Sequence, residues 1–544
     1  MGNFSSLLKL IPFLKKYRII FTIGIIGMIF SSIISTPIPY IIGRIMDKIL
    51  ITKQGYSDFY KLIAVIALLY ILRYILAVIS KYMFVKVSNS IVNEMRYLVM
   101  DKVIDLPMDY ISSTQKGYIQ ARISECSSVG GIFSPQFISI FLNLIDTVMA
   151  LGTMFVINYK LSIIILFLTP VFFITSKKSA SGFMKNTQKM MESSAILNGD
   201  TFEIINGIED IKVLNGKNSS LLKFKNKLDE LTKDSTKQSK AILLFTENIT
   251  LINDFGTLLI LLIAGIMILK GQFTIGLYTS FSLYIAKVFS STQALATIGT
   301  IIKPVCLSIE RIYQLLDMQG ENSGKHEYLN RKIESIELNN VDFKYNTSEE
   351  YVLKNLSFKI SKGKKILIKG ENGSGKSTLI KLLIGLYTPT SGKIFYNRLD
   401  LERINNKSLR NRIGIVSQNI FLFRGTVLEN ILYGQTNRNR EHVEKLIDQF
   451  MLTEYIHRLP RGLDTEISQN TAGVSGGQAQ VIAFIRAMLS NKDVIILDEP
   501  ISNVDAETRE IMLRILKSRK TSSILIIISH ITKGIDFIDK IIEI

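Results

Sequence analysis

The chain has 544 residues, 47% of them apolar, and a formal net charge of +19. That length exceeds what a single hydrophobic core carries, and the apolar residues crowd before position 305, which argues for a membrane-integral part followed by a soluble part. Lysine and arginine are scattered through many segments with no compact basic arm, which argues against a nucleic-acid partner and for positive loops on one side of a membrane. The two cysteines, Cys126 and Cys306, have no metal-ligand spacing and no disulfide framework, so they read as free thiols.

Residues 1–18 are short and basic, with Lys9, Lys15, Lys16 and Arg18 ahead of the first apolar run, which places the N-terminus on the cytoplasmic side. Residues 19–43 carry no charge and are long enough to cross a bilayer, with Pro37 and Pro39 as a kink near the far end. The run lacks a small-residue cleavage site and reads as a retained signal anchor. Further spans are expected at 60–84, interrupted by Arg73, then at 137–157, 161–176, 255–269 and 273–302, the last containing Lys287. Residues 81–136 and 177–240, about 55 to 65 residues each, have mixed charge and helical periodicity and are too long to be plain loops. They read as helices that leave the membrane into the cytoplasm and return.

After about residue 322 a polar linker gives way to short β-rich runs alternating with helices. Strands are expected at 333–345, 394–398, 413–417, 494–497 and 524–529, the pattern of an α/β nucleotide-binding domain. The expected division is therefore an N-terminal segment 1–18, a transmembrane domain 19–315, a linker 316–332 and a nucleotide-binding domain 333–544.

Within the last domain, Gly370, Glu371, Asn372, Gly373, Ser374, Gly375, Lys376 and Ser377 match the phosphate-loop pattern G-x-x-x-x-G-K-[ST]. Glycines let the backbone wrap a triphosphate closely, its amides turn inward, and the helix that follows presents its positive end. Lys376 is expected on the β- and γ-phosphates and the Ser377 hydroxyl on Mg²⁺, with a strand at 365–369 before the loop and Thr378 opening the helix after it. Downstream, an apolar strand ends in Asp498 and Glu499. A buried parallel strand delivers its C-terminal residues to the ligand edge, so Asp498 is the metal candidate and Glu499 the candidate base for the attacking water.

Val474, Ser475, Gly476, Gly477 and Gln478 resemble the LSGGQ signature, and with the phosphate loop and the paired acids the chain resembles the ATP-binding cassette (ABC) superfamily. It looks like a half-size, type IV exporter: an all-α transmembrane domain of six helices followed by an α/β P-loop domain of ABC type. The resemblance implies ATP and Mg²⁺ as cofactors and a sandwich site in which the signature of a second subunit closes over the γ-phosphate. It further implies Tyr345 on adenine, Gln418 bridging Mg²⁺ to the membrane part, 502–505 between the two sites, and His530 on the γ-phosphate. Coupling helices are expected near 115–125 and 203–211. Departures from the family pattern are Ala479 and Val481 where basic residues are common, and Ile531 and Thr532 after His530. The intact set of Lys376, Gln418, Asp498, Glu499 and His530 favours a homodimer, and a heterodimer with a second half-transporter stays open.

The function implied is ATP-driven export of an amphipathic substrate, a small peptide or a lipophilic drug-like molecule, by alternating access in a bacterial plasma membrane with the ATPase domain in the cytoplasm. A membrane regulator or sensor without cargo, and import through the same fold, are the alternatives. Arg73, Asp146, Asp254 and Lys287 are cavity candidates, because charges within spans face a cavity or a partner. Tyr278, Phe281 and Tyr284 recur every third residue, a stripe that reads as helix packing first and as a cargo-binding face second.

Overall fold

A computed structural model describes residues 5–544 except 52–55, 115, 322–326, 372, 436, 469–473, 490–491, 503, 519–522 and 530–534; the side chains at 116, 136, 167–184, 292–297, 299–301 and 303 are likewise not described. It divides into two units, Met1–Ile104 with Lys116–Met318, and Asp105–Gln115 with Gln319–Ile544.

The first unit is helical. Its elements include Arg18–Ser35, Ile38–Ile45, Tyr56–Asp105, Lys116–Val129, Pro135–Ile157, Tyr159–Asn206, Lys217–Leu269 and Ile275–Leu316. Each expected span falls in one of these helices, the first in the pair Arg18–Ser35 and Ile38–Ile45. Among the described residues, Arg18–Ile51, Tyr56–Asp105, Gly117–Ile157 and Lys217–Leu269 are long and apolar enough to cross a membrane. Helices of 50 and 53 residues measure about 75–80 Å at 1.5 Å per residue, far more than a hydrocarbon core of about 30 Å. The long mixed-charge segments are therefore continuations of the spans.

The break between Arg18–Ser35 and Ile38–Ile45 comes from Pro37 and Pro39. Pro39 has no N–H for the carbonyl four residues earlier, that of Ser35. Helix Ile275–Leu316 supplies donors to this kink: Lys287 Nζ to Ser35 O at 3.2 Å, Tyr284 OH to Thr36 O at 2.6 Å and Ser280 Oγ to Pro39 O at 2.9 Å. The approach requires glycine on both sides, since a Cβ on Gly43 would overlap Ser280 and Gly276, and one on Gly276 would overlap Gly43. Phe281 and Tyr284 are fully buried in the apolar cluster with Met154, Leu161, Phe245 and Val288. Their periodicity is helix packing.

Among its described residues the second unit has eleven strands: β1 (Ser335–Phe343), β2 (Leu353–Ser361), β3 (Lys365–Lys369), β4 (Ser391–Tyr396), β5 (Leu399–Asp400), β6 (Ile413–Val416), β7 (Gly425–Thr426), β8 (Glu466–Ile467), β9 (Val494–Asp498), β10 (Ile524–Ile528) and β11 (Lys540–Glu543). A parallel five-stranded sheet runs in the order β11-β3-β10-β9-β6, and an antiparallel sheet in the order β2-β1-β4-β5 packs beside it. Every residue of β9 and β10 is buried, as an apolar run covered on both faces must be. Two apolar clusters form the core, one of them joining both sheets through Ile336, Phe343, Ile366, Ile394 and Ile526.

The segment Asp105–Gln115 belongs to this unit. Pro107, with ψ 143°, stands between Tyr56–Asp105 and the short helix Met108–Ser113; Met108 packs on the core that joins both sheets, and Glu321 N donates to Asp105 O at 2.7 Å. The family resemblance implies a coupling segment at 115–125; helix Lys116–Val129 lies in the helical unit, and the segment grouped with the ATPase fold is Asp105–Gln115.

Candidate functional site

Parallel pairing sets the C-terminal ends of β3, β10, β9 and β6 along one edge of the sheet. That edge is where α/β folds bind ligands. The phosphate loop follows β3, Gln418 follows β6, Asp498 closes β9, and Ser529 follows β10. Four separate stretches of sequence thus meet at one place.

The loop reaches helix Lys376–Leu383 through Gly373 and Gly375, both left-handed at φ +87° and +94°. At Gly375 a Cβ would also stand 2.7 Å from Leu353 Cδ2 and 3.0 Å from Val352 O, so glycine is required twice over. Lys376 Nζ donates to Gly370 O and Glu371 O at 2.8 and 2.6 Å. A phosphate offers that ammonium a stronger, charge-assisted partner than two neutral carbonyls. The Ser374 Oγ is buried with no hydrogen-bond partner, and an orphaned hydroxyl inside a loop of inward-turned amides fits an anion. Asn372 lies outside the described residues.

Asp498 is 5% exposed and accepts from Ser377 Oγ at 3.4 Å. The Gln418 main chain also faces its carboxyl. Burial foremost, then the charge of Glu499, pushes the Asp498 carboxyl above the usual carboxylate range against the opposing pull of Ser377, Lys376 and Gln418. A cation here would relieve that. Among the described residues no group of three His, Cys, Asp or Glu side chains could hold a metal. The donors present are a hydroxyl, a carboxylate and an exposed amide side chain, a set that suits Mg²⁺ completed by phosphate oxygens and water.

Glu499 has φ +48°, uncommon for a residue with a side chain. Its N–H donates to Ile528 O at 2.8 Å, and its carbonyl accepts from Gln480 Nε2 at 2.6 Å and Ser502 Oγ at 3.1 Å. Gln480 was not among the expected site residues, because a glutamine two positions past the signature forms no motif of its own. His530 and residue 503 lie outside the described residues.

Tyr345 is half-buried, its hydroxyl 2.9 Å from Thr378 Oγ1 and its ring edge-on to Phe343 and Tyr387. It thus stands beside the helix that leaves the phosphate loop. Ser475 caps helix Gly476–Met488 in a reciprocal box: its Oγ accepts from Gln478 N at 3.2 Å, and Gln478 Oε1 accepts from Ser475 N at 2.8 Å. The serine hydroxyl and the glutamine are therefore engaged in shaping the turn, and the first-turn amides of Gly476 and Gly477 are what it presents.

The family model for the ABC transporter transmembrane region matches residues 21–293, half of the chain, and the ABC transporter model matches 353–502. The chain belongs to the ABC transporter family. It is a half-size exporter of that family, one membrane region fused to one ATPase region, and its ATP hydrolysis is coupled to transport. Over 99% of its length the exporter is 27% identical to the uncharacterized ABC transporter ATP-binding protein YfiC of Bacillus subtilis, covering 89% of that protein. It is 26% identical to an ATP-dependent lipid A-core flippase of Photorhabdus laumondii, over 100% of this chain and 94% of the flippase. The lactococcin-A transport/processing ATP-binding protein of Lactococcus lactis is also 26% identical, over 97% of this chain and 73% of that protein. A solved bacterial Atm1-family ABC exporter with ATP bound shares the fold at TM-score 0.84 and 20% identity, covering 98% of this chain and 93% of that one.

Proposed function

We propose that this ABC exporter moves an amphipathic substrate, a small peptide or a lipophilic drug-like molecule, across a bacterial plasma membrane as a dimer, with its N-terminus and ATPase unit in the cytoplasm. The observation that carries the reading is the meeting of Lys376, Ser377, Gln418 and Asp498 on one sheet edge, in a chain whose other unit is built of apolar membrane-length helices. ATP would lie with its phosphates in Gly370 to Ser377 and its adenine on Tyr345. Mg²⁺, held by Ser377, Gln418 and Asp498, would neutralise phosphate charge. Lys376 binds the terminal phosphates, Glu499 polarises the attacking water, and His530 orients the γ-phosphate. Residues Ser475 to Gln478 of a second copy, a homodimer, form the opposite wall.

Closure over ATP must favour the closed state by about 5.5 kcal/mol to turn a 1:99 population into 99:1. An amphipathic cargo is supported by Arg73, exposed within the apolar stretch 62–80, near a kink where Lys287 and Asp146 are tied to the first span through Ser35 and Ser32. Relatives named for lipid A-core and for lactococcin-A stand at equal identity, so sequence likeness selects neither cargo.

The test uses purified protein in proteoliposomes. MgATP should drive uptake of a fluorescent amphipathic peptide or dye, and a non-hydrolysable analogue should not. Glu499→Gln should keep ATP binding and lower turnover by about 10²- to 10⁴-fold, the usual worth of a general base. Turnover equal to wild type in that variant would overturn the base, and ATPase activity without uptake of any probe would favour a sensor.

A further inference from the structure

The peptide of Glu499 is held from both sides. On one side its N–H extends the β9–β10 ladder to Ile528 O at 2.8 Å. On the other its carbonyl accepts from the Gln480 side chain at 2.6 Å, a shorter bond than those from Ser502 Oγ at 3.1 Å and Ser502 N at 3.4 Å. Gln480 is 2% exposed and lies on helix Gly476–Met488, whose first turn is the signature segment. An amide buried among apolar neighbours is costly unless it is paired, so its persistence there asks for a reason. The left-handed backbone at Glu499 supplies one. Such a conformation is strained for a residue with a side chain and persists only where its surroundings hold it. Rotation of this peptide would swing the Glu499 carboxylate away from the sheet edge where Ser377, Gln418 and Asp498 meet.

We infer that Gln480 is a positioning residue for ATP hydrolysis: from the signature helix, its side-chain amide holds the Glu499 peptide in the left-handed conformation that aims the carboxylate at the nucleotide edge. The inference rests on Glu499 being the base, as proposed above. Gln480 acts through the Glu499 main chain.

Two substitutions separate this role from plain packing. Gln480→Met keeps the length and volume of the side chain and removes the donor. Gln480→Glu removes the donor when ionised, setting charge against a carbonyl, and restores an O–H donor when protonated. With the full-length exporter in detergent, kcat and KM for MgATP are measured from pH 6 to 8.5, alongside equilibrium ATP binding. Gln480→Met should lower kcat by about 10- to 100-fold, the scale on which a misplaced reacting group slows an enzyme, with KM and ATP affinity within twofold of wild type. Gln480→Glu should be as slow at pH 8 and regain activity relative to wild type as pH falls, because only the protonated carboxyl donates.

Wild-type kcat in Gln480→Met, or a Gln480→Glu profile parallel to wild type, would overturn the inference; so would a joint loss of ATP binding and kcat, which marks a packing role. Glu499→Gln is run beside them. If that variant hydrolyses ATP at the wild-type rate, the base assignment fails whatever Gln480 does. If it is inactive while Gln480→Met is unimpaired, only the positioning role fails. Adding Gln480→Met to Glu499→Gln should cause no further loss, since one residue acts through the other.

Discussion

Lys287 donates to the main-chain carbonyl of Ser35 at 3.2 Å, the carbonyl that Pro39 deprives of its helical N–H partner. A lysine that sequence reasoning set aside for a cargo cavity is thus tied to the kink of the first span. Its ammonium also reaches Ser35 Oγ at 3.2 Å.

Removing that donor takes a hydrogen bond from the carbonyl of buried Ser35. Lys287→Met should cost about 1–3 kcal/mol of stability, read as a lower unfolding midpoint in detergent. Pro39→Ala returns an N–H to the Ser35 carbonyl, so the double variant should recover part of the loss. Additive losses would show that the lysine serves something other than the kink.

Asp498 gives a pH signature. Its folded-state carboxyl titrates above the unfolded value, so between those two values the folded protein holds more protons than the unfolded one, and stability falls as pH rises through that window. Asp498→Asn should therefore raise the unfolding midpoint of nucleotide-free protein and flatten its pH dependence in the mildly acidic range. The same variant should lose at least about 100-fold in MgATP hydrolysis. A lower midpoint without nucleotide would contradict the burial argument.

Gly375→Ala meets both a left-handed backbone and a 2.7 Å contact with Leu353. Equilibrium binding should show ATP affinity reduced by at least about tenfold, since left-handed strain alone is worth 1–3 kcal/mol. Normal affinity would mean that the loop relaxes without consequence.

Met108→Lys puts a charge where Met108 packs on the core shared by β1, β3 and β4. ATP binding should persist, because no phosphate-loop contact changes. Cargo-stimulated ATPase activity and vesicle uptake should fall together by at least about tenfold, the effect of about 1.4 kcal/mol on a docking equilibrium. Stimulation unchanged from wild type would remove this segment from the coupling path.

The phosphate loop was readable in full from residues 370–377, because its chemistry demands adjacent residues of fixed type. The same holds for the acids at the end of β9, and for the uncharged runs long enough to span a bilayer, which a hydrocarbon solvent permits only as helix or closed barrel. Strands β2, β5, β7, β8 and β11 were not foreseen. In β2 the adjacent Lys354 and Asn355 break the apolar alternation beside a bulge, and β5, β7 and β8 have two residues each.

Local sequence by itself determined that this protein has membrane-length helices and a nucleotide loop, since both are properties of contiguous residues. Only the tertiary structure decided that Phe281 and Tyr284 are packing residues, that Lys287 serves the Pro39 kink, that Met108 anchors in the ATPase core, and that Gln480 holds Glu499. Each of these pairs residues that are separated along the chain, or sets a side chain against a distant core, and a hydrogen bond or buried surface between such partners exists only once the chain has brought them together.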